Sequence, residues 1–309
     1  MITKHLLLTA ALLSTSLTLS AQQADIEIDS KWVDNTNLEI SAVKHTVGSY
    51  TIAIVFTERQ NTRQAPTFKT IMRGPTQRLL TVEAANAERP VRCAYRYTYV
   101  RGYHHPKLDS SFVYRLPYST SHAPVMARSI LNLNETFLNG KPARGWHSWQ
   151  FLLNPGDTVF AARKGTVVEV HDGAAQLESH LSASYHSDNN NVLIEHPDGT
   201  LCNYSVLEAG SIQVQEGDIV YPGTPIARAG SYNEGTAETQ VRMLIYFPDE
   251  KPNVTSPNAE TFFEWVYYNP HFATAEGTCQ LQDRRSYQAV SSPELVQAEM
   301  TKREIKQMK

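Results

Sequence analysis

The chain has 309 residues, of which 41% are hydrophobic and 19% charged, and its formal net charge is −3. That balance excludes an intrinsically disordered chain and leaves no electrostatic footprint for nucleic acid or an anionic membrane surface. Three cysteines are too few for a disulfide framework, so stability must come from apolar cores, and the length allows two of them.

Residues 1–21 have the layout of a secretory signal peptide. Lys4 supplies the positive start, Leu6 to Leu13 an apolar run, and Leu19-Ser20-Ala21 a cleavage site before Gln22. The run is too short to span a bilayer, and no cysteine follows it to carry a lipid. A secreted or periplasmic protein is expected, with no membrane span after signal cleavage.

Residues 22–117 read as an all-β domain. Candidate strands are Trp32 to Val43, Tyr50 to Glu58, Phe68 to Met72, Leu79 to Ala84, Val91 to Val100 and Phe112 to Leu116, with polar connections of the kind found in sandwiches. In Arg92 to Tyr99 the odd positions put Cys93, Tyr95, Tyr97 and Tyr99 on one face. Such a stripe is a ligand platform in some proteins but more often the packed side of a sheet. His104-His105, between Gly102 and Pro106, falls in a loop and reads as surface histidines. Residues 118–145 show little periodicity and read as a linker.

From Trp146 to Phe247 short strands alternate with glycine turns in a repeated form. The first copy is Pro155-Gly156-Asp157-Thr158-Val159 followed by Ala161 to Val170; the second is Glu216-Gly217-Asp218-Ile219-Val220 followed by Pro222-Gly223-Thr224-Pro225-Ile226-Ala227. Glycine lets the chain reverse and a β-branched residue starts the next strand, so each copy predicts a hairpin, and the pair predicts internal pseudo-symmetry. Asn191 to His196 is a candidate strand between them, ending in the tight turn Pro197-Asp198-Gly199-Thr200. Toward the end of the chain, Ser292 and Pro293 are a helix cap and first turn, and one helix is expected from there to Lys309.

This order of motifs resembles the catalytic domain of the LytM/lysostaphin-type zinc endopeptidases, which cut peptide cross-links in bacterial cell walls and have a duplicated hybrid motif fold. The resemblance implies a mainly β protein: an N-terminal β-sandwich, a small antiparallel β-barrel or sandwich over 146–280, and a C-terminal tail and helix over 281–309. Family members carry a His-x-x-x-Asp, a Tyr-x-His-Leu and a final His-x-His. Carried over by position, the first histidine falls on Trp146 and the aspartate on Gln150. The histidine of Tyr204-Ser205-Val206-Leu207 falls on Val206, and the final pair on Val241-Arg242-Met243. A hydrolytic zinc site needs three nitrogen or carboxylate ligands and an open position for water, and these residues do not supply them.

The resemblance thus implies a non-catalytic domain without metal or other cofactor, its former metal cleft filled by Trp146, Gln150, Tyr204, Val206, Val241 and Met243. Such a domain would bind peptidoglycan peptide or a cell-wall hydrolase. Two alternatives stand beside it. One is an active zinc endopeptidase with ligands relocated to some of His147, His180, His186 and His196; the other is a structural or adhesive β-protein. No spacing selects which two of Cys93, Cys202 and Cys279 would pair.

Overall fold

A computed structural model describes residues 24–130, 143–174, 189–231, 238–251 and 262–308. The signal segment 1–21, His180 and His186 lie outside the described residues. Among those described, no helix is long and apolar enough to cross a membrane.

The first body is a sandwich of six strands: β1 (Ile26–Trp32), β2 (Leu38–Lys44), β3 (Tyr50–Gln60), β4 (Thr67–Met72), β5 (Thr76–Val82) and β6 (Arg92–Arg101). They form two three-stranded antiparallel sheets, β1-β2-β5 and β4-β3-β6. Ile26, Ile40, Tyr50, Ile52, Ile54, Met72 and Val82 fill the space between. The single strand expected from Trp32 to Val43 is broken in two. The reason is Asp34, whose Oδ1 accepts the backbone N–H of Thr36 at 2.7 Å and of Asn37 at 2.8 Å, closing a turn. In the tyrosine stripe, Cys93, Tyr95 and Tyr99 pack on the core. Tyr97, on the edge strand, remains 40% exposed.

The second body contains β7 (Val113–Arg115), β8 (Val125–Ser129), β9 (Ser148–Leu152), β10 (Thr158–Phe160), β11 (Gly165–His171), β12 (Asn191–Glu195) and β13 (Leu201–Ser205). It continues with β14 (Ile219–Val220), β15 (Pro225–Arg228), β16 (Gln240–Glu250), β17 (Phe263–Tyr267), β18 (His271–Thr274), β19 (Gly277–Cys279) and β20 (Arg285–Tyr287). Its main sheet runs β14-β11-β12-β13-β16-β9-β8-β20, with β17 added to the far end of β16. Two expectations are corrected here. The strand foreseen at Phe112 to Leu116 is β7, which pairs in parallel with β18 and so belongs to this body. The stretch 118–145 is more than a linker: Val125 and Ala127 alternate into the core, and β8 joins β9 and β20.

Three turns share one construction. In Asn154-Pro155-Gly156-Asp157 the Asp157 N–H donates to the Asn154 carbonyl at 3.1 Å, and Asp157 Oδ2 accepts the Asn154 N–H at 2.7 Å. Gln215-Glu216-Gly217-Asp218 repeats both bonds at 3.1 and 2.9 Å, and Tyr221-Pro222-Gly223-Thr224 repeats them with the Thr224 hydroxyl. The third residue of each turn has φ of 84°, 95° and 93°, which glycine adopts without the steric cost of a Cβ. The copies do not close hairpins on themselves, as the sequence suggested. They exchange strands instead: β10 pairs with β15, and β11 with β14.

The sandwich leans on the face of the main sheet opposite the core. Val47 packs on Val168, Leu193 and Leu201, and Ala53 and Val55 pack on Phe262. The Ser49 N–H donates to Glu195 Oε2 at 2.6 Å. Gly199, at φ 87°, lets the Tyr103 ring lie on its backbone, since a Cβ there would sit 2.0 Å from the ring.

The expected C-terminal helix is two short ones, α1 (Pro293–Gln297) and α2 (Lys302–Gln307). Ser292 caps the first as foreseen. Thr301 and Glu304 form a capping box that starts the second, and neither helix buries a residue. Cys93, Cys202 and Cys279 are all free.

Candidate functional site

Strands β13, β16 and β9 lie side by side, and the period of two along each divides their residues between two faces. Trp149, Phe151, Cys202, Tyr204, Val241, Met243 and Ile245 enter the core. Gln150, Ser205, Gln240 and Arg242 therefore face the other way. Register aligns Arg128, Gln150, Arg242 and Ser205 in one row across four strands. Within it, Gln150 Nε2 donates to Gln240 Oε1 at 2.6 Å, and Arg242 Nε donates to the same oxygen at 3.3 Å. Arg128 pairs with Glu238 at 2.6 Å.

Of the six residues placed at the cleft from sequence, only Gln150 is in this row. Tyr204 is a core residue whose hydroxyl accepts the Ala162 N–H at 2.8 Å. Val241 and Met243 are likewise core residues, a correction with a simple cause. A His-x-His pair able to share an ion with the aspartate position must face Gln150, and the residues that do are Gln240 and Arg242, one step earlier in the strand. The signal was present in the sequence, since Val241, Met243 and Ile245 alternate with Gln240 and Arg242. Trp146 is half-buried; its indole N–H donates to the Ile130 carbonyl at 2.7 Å and its ring meets Tyr267 at 4.5 Å.

Val206 is 2% exposed and has φ 64°, a left-handed conformation that costs a β-branched residue about 1–2 kcal/mol or more. Its carbonyl accepts the Gly230 N–H at 2.9 Å. Close by, Asn190 is buried. Its Oδ1 accepts the N–H groups of Gly173 and Ala174, both at 2.9 Å, and its Nδ2 donates to the carbonyls of Ala174 and Leu207.

The donor set on this face does not fit zinc. Gln150 and Gln240 offer neutral amides that bond each other, Trp146 offers only an N–H, and Arg242 brings a permanent positive charge where a divalent cation would have to sit. Cys202 lies on the other face, and burial pushes its thiol up to about 12, so it is no thiolate near neutral pH.

Relocated ligands do not converge among the described residues either. His147 directly precedes β9, and His196 directly follows β12, three strand spacings or about 14 Å away. His147 Nδ1 bonds the Gly145 carbonyl at 2.9 Å. His196 is 2% exposed, with Nδ1 bonded to Thr200 Oγ1 at 2.9 Å and its ring edge-on to Tyr114 at 5.5 Å. Burial, and then the charge of Arg163, hold it well below the ordinary histidine value, in the neutral form. His105 turns to Asp249, Nδ1 to Oδ1 at 3.0 Å, across the seam between the two bodies. No group of three His, Cys, Asp or Glu side chains among the described residues is placed to hold a metal ion.

Residues 144–252 match the model of peptidase family M23. No curated protein matches the chain. Among solved structures, a candidate glycyl-glycine endopeptidase LytM from Ruminococcus gnavus is similar at 17% identity and a TM-score of 0.31, over 52% of this chain and 57% of that one. Csd3 from Helicobacter pylori is similar at 12% identity and a TM-score of 0.31, over 92% and 77%. A zinc-containing peptidase from Vibrio cholerae is similar at 14% identity and a TM-score of 0.25, over 68% and 75%. The chain thus spans little more than half the length of the first of these, at 57%. The similarity to peptidase family M23 is carried by the region 144–252.

Proposed function

We propose that the M23-type domain is a non-hydrolytic reader of cell-wall peptide, carried by a protein exported on the segment 1–21. The observation behind this reading is the row Arg128–Gln150–Arg242–Ser205, with Gln240 beside it, on the sheet face where a zinc peptidase of this family would need its ligands. The partly exposed guanidinium groups of Arg128 and Arg242 donate hydrogen bonds to the carbonyls and carboxylates of a peptide, the buried Gln150, Gln240 and Ser205 form the floor between them, and none of these groups activates water. Arg242 is central because a planar guanidinium can bond a carboxylate in two places.

Three measurements on the purified full-length protein test this. Metal analysis is expected to find no stoichiometric zinc, incubation with cross-linked peptidoglycan no release of peptide, and sedimentation with peptidoglycan retention of the protein. Arg242→Glu is expected to weaken that retention about tenfold, the loss of roughly one charge-assisted bond. Stoichiometric zinc with turnover overturns the reading. Absence of retention overturns peptide binding and leaves regulation of a cell-wall hydrolase as the function to examine.

A further inference from the structure

A second ligand-like arrangement lies away from that face, in the loop between β10 and β11. Arg163 is 5% exposed. Its guanidinium sits 4.1 Å from the Phe112 ring centre and donates to the Tyr114 hydroxyl and to Asp198 Oδ2, both at 2.7 Å. The remaining edge grips Glu299 in two places, Nε to Oε2 at 2.9 Å and Nη2 to Oε1 at 2.7 Å. Lys164 reaches the Glu299 carbonyl at 3.0 Å and Glu304 Oε2 at 2.9 Å, while the Tyr221 hydroxyl bonds Glu304 Oε1 at 2.8 Å. One buried cation, one half-buried cation and three aromatic rings thus form a groove, and two carboxylates of the C-terminal segment sit in it.

Beyond these bonds, Leu295, Val296, Met300 and Ile305 of the segment are only partly buried, and α1 lies beside β7. Neither α1 nor α2 buries a residue, and Met308 near its end is 55% exposed. Arg163 would keep Asp198 and Tyr114 if the segment left, so the groove does not depend on its occupant for its shape. An element whose polar anchors are two carboxylates and whose apolar residues are at most partly buried has the character of a ligand attached by a tether.

From this we infer that the Arg163–Lys164 groove is a docking site for acidic protein segments that present two carboxylates five residues apart, and that residues 292–308 fill it in cis. The tether keeps the internal segment at an effective concentration on the order of millimolar, so an external segment competes only when it binds tightly or when the internal one is weakened.

The test uses the full chain carrying Glu299→Gln and Glu304→Gln, with a fluorescent peptide of residues 292–308 as probe. Anisotropy is expected to show the variant binding the peptide at least tenfold more tightly than the unaltered chain does. In 1 M salt that binding is expected to fall at least tenfold, because long-range attraction is screened. A peptide with glutamine at both positions is expected not to bind. Adding Lys164→Glu is expected to abolish binding, and a peptide with Glu304→Lys to restore part of it; circular dichroism checks that each variant is folded. Failure of the variant to bind the peptide, or equal binding of the glutamine peptide, overturns the inference and makes the segment a fixed cap. Neither result bears on the peptidoglycan assay, which reads the Gln150–Arg242 row on β9 and β16.

Discussion

The N-terminal sandwich and the C-terminal segment both rest on the domain that matches the M23 family model, and they are attached by different means. The sandwich presents Val47, Ala53 and Val55 to apolar residues of the sheet and its edge, adds a buried bond from Ser49 to Glu195, and fits one aromatic ring onto a bare glycine backbone. The C-terminal segment presents carboxylates to Arg163 and Lys164 and buries no helical residue. Apolar contact is insensitive to salt and mild acid, whereas ionic contact responds to both. One attachment is therefore part of the fold, and the other is adjustable.

The most damaging way to test that contrast is Gly199→Val. A β-branched residue at φ 87° is strained, and its Cβ would overlap the Tyr103 ring. A loss of about 3 kcal/mol or more is expected in urea unfolding, from backbone strain and overpacking together. Unchanged stability would show that the sandwich is not anchored there. A smaller effect is expected of Glu195→Ala, which leaves the Ser49 N–H without its acceptor and should cost about 1–3 kcal/mol, with Glu195→Gln close to the unaltered protein.

The mildest perturbation is acid. Hydrogen bonds from Lys164, the Thr301 N–H and Tyr221 bring the Glu304 carboxyl down to about 2. Because the value is depressed in the folded state, its contribution is complete above the ordinary glutamate value near 4.3 and disappears as pH falls through about 2. Hydrogen exchange across that window is expected to show residues 301–307 losing protection before the Val47–Val168 seam. Simultaneous loss at both places would erase the distinction between the two attachments.

How much of this could be read from the residues depended on the range of the interaction that fixes each feature. The glycine turns were legible because Gly156, Gly217 and Gly223 answer a local backbone demand, and the Ser292 cap was legible for the same reason. Thr301-Lys302-Arg303-Glu304 carries an equally local capping-box signature, and it marks the start of the second helix where one continuous helix was expected. The exchange of strands between the repeated copies was not legible, since nothing near Thr158 states that its partner is Arg228. β8 is hard to read from sequence because only Val125 and Ala127 of its five residues turn to the core, too few to set a period. At the candidate site, the loss of metal ligands was expected from position alone, but the side of β16 that matters needed the observed pairing of Arg242 with Gln150.

That exchange between copies also governs when the molecule can take shape. Thr158 must wait for Arg228 and Gly165 for Val220, so a ribosome that has delivered only the first copy has made β10 and β11 without partners. Pairings so distant along the chain slow folding, because a long loop must be closed before any contact rewards it. The second body therefore stays incomplete until nearly all of the chain has been synthesised, while the sandwich, whose six strands pair only with one another, has all its partners by Arg101.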